Sequence, residues 1–337
     1  MSIELSKRKF LLGAPLALGA TALAAPSIVK AQSLMGVASH EKVGAVLERD
    51  LVPVTYLPPS IQKQFVKNEV SMQGKPYADF FLPEIEVPAA WAQKLRSGPM
   101  PLEQTITPSI SDINKLLDPN ITFPDAGYAL LDGPCAYAQS RIEMPGVTTD
   151  MFKWWFTWHP QEKERYMLWF PQAHIDNWCE DAKRVADTTL TYEQRLYKNT
   201  NHVTEFIGPN SMEILIHFTD PMELGFDKRA FERAGFKANA SGTISIGGVA
   251  PDTTFMFMVH LARDTSRGLE LFSRYWIGPH PEMKRFPGGE NAHSVMTKMG
   301  MSKETIENLA YEMSVHDMTE FNQLARILPA VYAKFGA

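Results

Sequence analysis

Cysteine is scarce in this chain. Its 337 residues contain two, Cys135 and Cys179. Neither stands in a C-x2-C or zinc-finger spacing, so any metal would be held mainly by His and carboxylate. Their separation leaves open whether they pair. A surplus of positive charge is also lacking: 33 Lys and Arg face 38 Asp and Glu, a net charge of −5, which argues against a nucleic-acid-binding surface. No G-x-G-x-x-G turn follows a strand-like run, which argues against an all-parallel dinucleotide-binding sheet. The one strongly apolar tract, in the first thirty residues, is short and interrupted by Pro15 and Gly19, so no stable membrane span is expected once it is removed.

That tract reads as an address. Lys7-Arg8-Lys9 precedes Phe10-Leu11-Leu12 and an Ala/Leu/Gly-rich run to Ala25, and Val29-Lys30-Ala31 offers a small-residue cleavage site before Gln32. The SKRKFLL segment is similar to a twin-arginine export signal with Lys7 in place of the first arginine, so the twin-arginine and general secretory routes both stay open. Residues 1–31 are therefore expected to be an export signal, and the mature protein periplasmic or secreted. Residues 32–125 are proline-rich and weakly patterned, with short helices expected at 59–68, 88–96 and 109–117. Strand-like runs lie at 202–207, 212–218, 242–247, 254–262 and 269–277. With a helix expected at 147–159, they predict an α+β domain over residues 126–337.

What the sequence does have is a long amphipathic segment at its C-terminal end. Over 302–328 the apolar residues Ile306, Leu309, Met313, Leu324 and Ile327 form one helical stripe. Ser302 suits the N-cap and Pro329 is expected to end the helix. His316 and Glu320 interrupt the stripe one turn apart, where a structural helix would carry Leu or Ile. A buried carboxylate beside a buried imidazole is costly unless a cation binds both, so a metal ion is the economical reading. An H-x-x-x-E pair alone would otherwise be a solvated helix face. Further donors are sought in His174, which follows Pro171 in an aromatic neighbourhood, and in Glu205, which alternates with Val203 and Ile207 in a strand-like run.

The segments WWFTWHP and RYMLWFPQAH, then HVTEFIG, then VHDMTEFNQLARILP resemble the 2,4-diacetylphloroglucinol hydrolase and phloretin hydrolase family over roughly residues 145–335. The interval between His174 and Glu205 is the one that family shows. The resemblance implies zinc held by His174, Glu205, His316 and Glu320, with Fe(II) or Mn(II) as other ions the same donors accept. It implies substrate contacts from Tyr166, Asn177 and Tyr275, and a histidine, His260, that positions water or relays its proton. It implies a helix-grip fold like that of the birch pollen allergen, a curved antiparallel sheet around the long C-terminal helix, here with an N-terminal extension. The implied reaction is hydrolysis of the carbon–carbon bond between an acyl group and a phloroglucinol-like ring, or of another β-diketone, with release of a carboxylic acid. The implied partner is thus a small aromatic or polyphenolic ketone, with Met256, Met258 and Trp276 expected to line its pocket. Two competing readings use the same residues: an Fe(II) enzyme acting on phenols, and an exported carrier of aromatic ligands. His159 is read as a helix terminator or a partner to the site, His202 and His217 as structural or surface groups, and His280 and His293 as exposed loop residues. Oligomeric state is not legible.

Overall fold

The computed structural model describes residues 51–54, 58–106 and 109–336, all within one compact unit, Ala38–Ala337. The expected export signal lies outside the described residues. Strands β1 (Leu51–Pro53) and β2 (Glu86–Pro88) form a small antiparallel ribbon. Between them runs α1 (Pro59–Met72), whose first position is the proline that helix starts favour. After β2 comes α2 (Ala89–Arg96), then a 3-10 stretch, Ile110–Leu117, capped by the Ser109 hydroxyl.

The body is a nine-stranded antiparallel sheet of β3 (Ala126–Leu131), β4 (Cys135–Pro145), β5 (His174–Cys179), β6 (Thr200–Ile207), β7 (Asn210–Phe218), β8 (Ala238–Asn239), β9 (Gly242–Ile246), β10 (Met256–Thr265) and β11 (Gly268–Ile277). The strand order is β3-β4-β11-β10-β9-β7-β6-β5, with β8 paired to β10. Helices α3 (Thr149–Trp158), α4 (Lys163–Met167), α5 (Ala182–Ala186), α6 (Tyr192–Leu196), α7 (Lys228–Ala234) and α8 (Ala292–Lys298) fill the connections, and α9 (Lys303–Phe335) closes the chain. Period-two alternation divides the sheet into two faces. Met258 and Tyr275 turn to an inner core shared with α3 and α9. Their neighbours Phe257, Val259 and Trp276 turn to a second core under the 110–117 stretch and Phe286. The β6–β7 hairpin turns on Gly208-Pro209, and Gly208 adopts φ +67°, the conformation a glycine-first tight turn requires.

Several expectations change. The α+β class holds, but the helix-grip fold does not. Helix α9 lies chiefly along β3 and β4, at one end of the strand order, while α3 packs on β8 and β10 and α4 on β5. Pro329 does not end α9; it sits inside the helix, which continues to Phe335. The last turn is held by packing, with Phe335 stacked on Trp158 and edge-on to Tyr77, which outweighs the one ladder bond a proline cannot make. Cys135 and Cys179 are both free and buried. Burial pushes their thiols up to about 11 and about 12, respectively, which makes both unreactive. His280 is buried and caps the 3-10 turn Pro281–Arg285 through its ring, and His293 is exposed but opens α8 instead of lying in a loop. Trp276 faces the outer core, stacked on Phe257.

Candidate functional site

Two adjacent strands and one helix converge on a small cavity of the inner face. On the strands, His174 and Glu205 are direct cross-strand partners of β5 and β6, so their side chains emerge side by side. A register shift between His174 and Asp176 adds a residue to β5. It lets His174 and Asn177, three apart, face the same side. On the helix, His316 and Glu320 stand one turn apart on the buried stripe of α9.

The four side chains meet at their tips. Nε2 of His174 lies 3.4 Å from Nε2 of His316, 3.6 Å from Oε2 of Glu205 and 3.4 Å from Oε2 of Glu320. Nε2 of His316 lies 3.7 Å from Glu205 Oε2 and 3.9 Å from Glu320 Oε2. Donor atoms arranged tetrahedrally at zinc bond lengths lie roughly 3.3–3.5 Å apart, so five measured edges sit at or slightly above that spacing. The rings are pre-oriented. Nδ1 of His174 lies 3.0 Å from the carbonyl of Tyr166, and Nδ1 of His316 lies 3.0 Å from that of Phe206. A carbonyl only accepts, so each Nδ1 carries the proton and each Nε2 presents its lone pair inward. Two lone pairs and two carboxylates facing one another in a dry site repel. Burial and then the neighbouring His316 push His174 well below the usual imidazole range, while burial and then Glu205 push Glu320 well above the usual carboxylate range. A divalent cation reverses both penalties at once. The chemistry and spacing of His174, Glu205 and His316 fit a single metal ion, with Glu320 beside them.

Around this group the remaining expected residues assemble. Tyr166, Asn177, His260 and Tyr275 line the same cavity as Glu205, His316 and Glu320, and His174 closes it from behind with no exposed surface. The Tyr166 hydroxyl donates to Glu205 Oε2, and its ring stacks on His174 at 3.7 Å. Burial and then the Glu205 charge raise that phenol well above its ordinary value. Asn177 Oδ1 is buried without a hydrogen-bond partner, which marks an atom able to serve a ligand. His260 is buried, and desolvation lowers it to about 3. Its Nδ1 lies 2.9 Å from Ser273 Oγ and its Nε2 3.1 Å from the Tyr275 hydroxyl. That hydroxyl donates to Asp317 Oδ1 at 2.8 Å, and Ser140 donates to Asp317 Oδ2. Asp317, Ser140 and Ser273 carry no pattern in the sequence that marks them, since the sheet and α9 bring them together only in the fold. His159 caps α3, stacks on Trp155 and reaches the cavity wall. Met258 lines the cavity, while Met256 packs in the inner core.

Fold and site together define an α+β protein with a buried His/Glu group, among which His174, Glu205 and His316 form a triad able to hold one metal ion. The sequence profile of the DAPG hydrolase PhiG domain matches residues 106–333. The chain belongs to the DAPG hydrolase family. It is 46% identical over 288 residues to a 2,4-diacetylphloroglucinol hydrolase of Pseudomonas sp, covering 86% of this chain and 98% of that one. A 2,4-diacetylphloroglucinol hydrolase of Pseudomonas protegens shows the same identity over 94% of its length. The phloretin hydrolase of Eubacterium ramulus is 26% identical over 255 residues, 74% of this chain and 85% of that one. The matching domain is the family's own, which also overturns the birch-pollen-type expectation. The likeness extends further than residues 145–335, because a match covering 86% of the chain reaches well into the segment before residue 125.

Proposed function

We propose that this protein is a zinc-dependent hydrolase that cleaves the carbon–carbon bond between an acyl group and a phenolic ring, or within a related β-diketone, releasing a carboxylic acid. The observation that carries the reading is the buried triad His174, Glu205 and His316, with Glu320 Oε2 3.4 Å from His174 Nε2, in a chain 46% identical to proteins named for this hydrolysis. Zinc bound there supplies Lewis acidity, polarising a carbonyl and lowering the pKa of a bound water.

The chain's own groups do the rest. Tyr166 and Asn177 stand on the β5 side of the cavity and Tyr275 on the β11 side, so phenolic hydroxyls of a flat ring meet hydrogen-bonding groups from both. His260 is neutral at neutral pH and donates its Nε2 proton to the Tyr275 hydroxyl, whose own proton goes to Asp317. The Asp317–Tyr275–His260 chain can therefore take up or return a proton where the ring carbon is released. Trp169, Phe156 and Phe218 form an apolar wall of the cavity. Its free space is about 50 Å³, so a ring enters with movement of flexible lining residues such as Met258 and Met313.

The leader over residues 1–31 supports a periplasmic or secreted setting, and the sheet's start at Ala126 supports residues 126–337 as the catalytic region. Metal analysis of the purified protein beside His316→Ala and Glu320→Ala, with acid release from acylphloroglucinols followed with and without chelator, tests the function. Loss of zinc and of acid release in both variants is expected. Full zinc retention in both would remove the site.

A further inference from the structure

On the opposite face of the sheet lies a cleft of about 570 Å³ whose wall includes four arginines, Arg141, Arg233, Arg263 and the buried Arg274. Two are neutralised. Arg141 pairs with Asp125 at 2.8 Å and with Glu270 at 3.1 Å, and Arg263 pairs with Glu270 at 2.7 Å. The other two are not. Among the described residues, no carboxylate lies within ion-pairing distance of Arg233 or Arg274. Asp118, the one acid lining the cleft, turns its Oδ1 to the backbone and side-chain amides of Asn120.

Arg274 is the unusual group. Its side chain is fully buried, with relative exposure of 0%. Its Nη1 donates to the carbonyls of Ser140 and Ser273, both at 2.7 Å, and its Nε has no partner. The guanidinium lies 5.5 Å from the Phe123 ring and 5.9 Å from the Phe272 ring. A guanidinium cannot shed its proton, so burial with Asp317 and Asp125 acting only from beyond ion-pairing distance is a standing cost that an anion would relieve. The planar fork suits two oxygens of one head group. The aromatic walls suit an apolar body, and the cleft's size is that of a small-molecule site.

We propose that this cleft binds an amphipathic organic anion, a carboxylate or phosphate head on an apolar body, with Arg274 and Arg233 holding the head. Tyr275, the neighbour of Arg274 along β11, faces the His/Glu cavity, so the two sites lie on opposite faces of one strand and fill independently.

Calorimetric titration of the full protein with octanoate and with octyl phosphate tests the proposal, with octanol and inorganic phosphate as controls and each run repeated under chelator. One-site saturable binding of either amphiphile is expected, unchanged by chelator; the tighter of the two identifies the head group. Arg274→Met and Arg233→Ala should each weaken it at least about tenfold, and Arg233→Ala should leave acid release unchanged. If Arg274→Met does not fold, the exposed Arg233 still decides. The proposal is overturned by absence of saturable binding, by loss of binding under chelator, by equal affinity for octanol or inorganic phosphate, or by unaltered binding in Arg233→Ala.

Discussion

His260 illustrates how burial sets chemistry one residue at a time. Its pKa falls from the ordinary 6.5 to about 3 because the charged form is desolvated. Below pH 6.5 the unfolded chain therefore binds a proton that the folded protein refuses, and stability contributed by this group is lost as pH falls from 6.5 toward 3. The buried acids Asp317 and Glu320 shift upward and act with the opposite sign, so a comparison isolates the histidine. The unfolding free energy of His260→Gln, followed from pH 7 to pH 4, should fall less steeply than that of the parent, by up to about one proton in the slope. Equal slopes would show that His260 takes up its proton as readily in the fold as in the unfolded chain. The same scale shows what a sequence reveals. His316 and Glu320 were legible because each breaks an apolar stripe at helical spacing. Asp317 was not, because its partners Ser140 and Tyr275 arrive from β4 and β11 and only the folded sheet brings them together.

Among the elements, α1 has a part its sequence did not advertise. Asn68 is buried, and its Nδ2 donates to the carbonyls of Pro171 at 2.9 Å and His174 at 2.6 Å. It fixes the entry into β5, where the register shift turns both His174 and Asn177 inward. Ile61 and Ile85 add apolar cover over Phe170, Ala173 and Phe206 on the same side. Replacing Asn68 with Ala leaves two buried carbonyls without their donor, a loss of about 1–3 kcal/mol, and frees the backbone that carries His174. A lowered denaturant midpoint together with faster zinc loss on dialysis is expected; a lowered midpoint with unchanged zinc retention would confine Asn68 to stability. Strands β6, β7, β10 and β11 were legible from β-branched and aromatic alternation. Strands β3 and β4 were not, since CAYAQSRIEMP mixes small and polar residues that are buried only because α9 and the outer core cover both faces. Pro329 misled for a related reason: tertiary packing of Val331 and Phe335 carries the helix past it.

At the level of the whole molecule, the four proposed donors are drawn from β5, β6 and α9, parts of the chain as far apart in sequence as His174 and Glu320. An ion held by all of them binds the folded protein and has no equivalent site in the unfolded chain, so its binding free energy is stability. It also removes the conflict between the raised Glu320 and the lowered His174. Chelation of the zinc-loaded protein should lower the thermal midpoint by roughly 5–10 °C, the range expected for an ion present at about a thousand times its dissociation constant in a chain of this size. Restored zinc should restore the midpoint. Glu320→Gln keeps the shape of the side chain but gives up its charge, so its midpoint should respond far less to either treatment. A parent midpoint indifferent to chelator, in protein shown by metal analysis to have lost its zinc, would mean that the sheet and α9 hold the four donors together unaided.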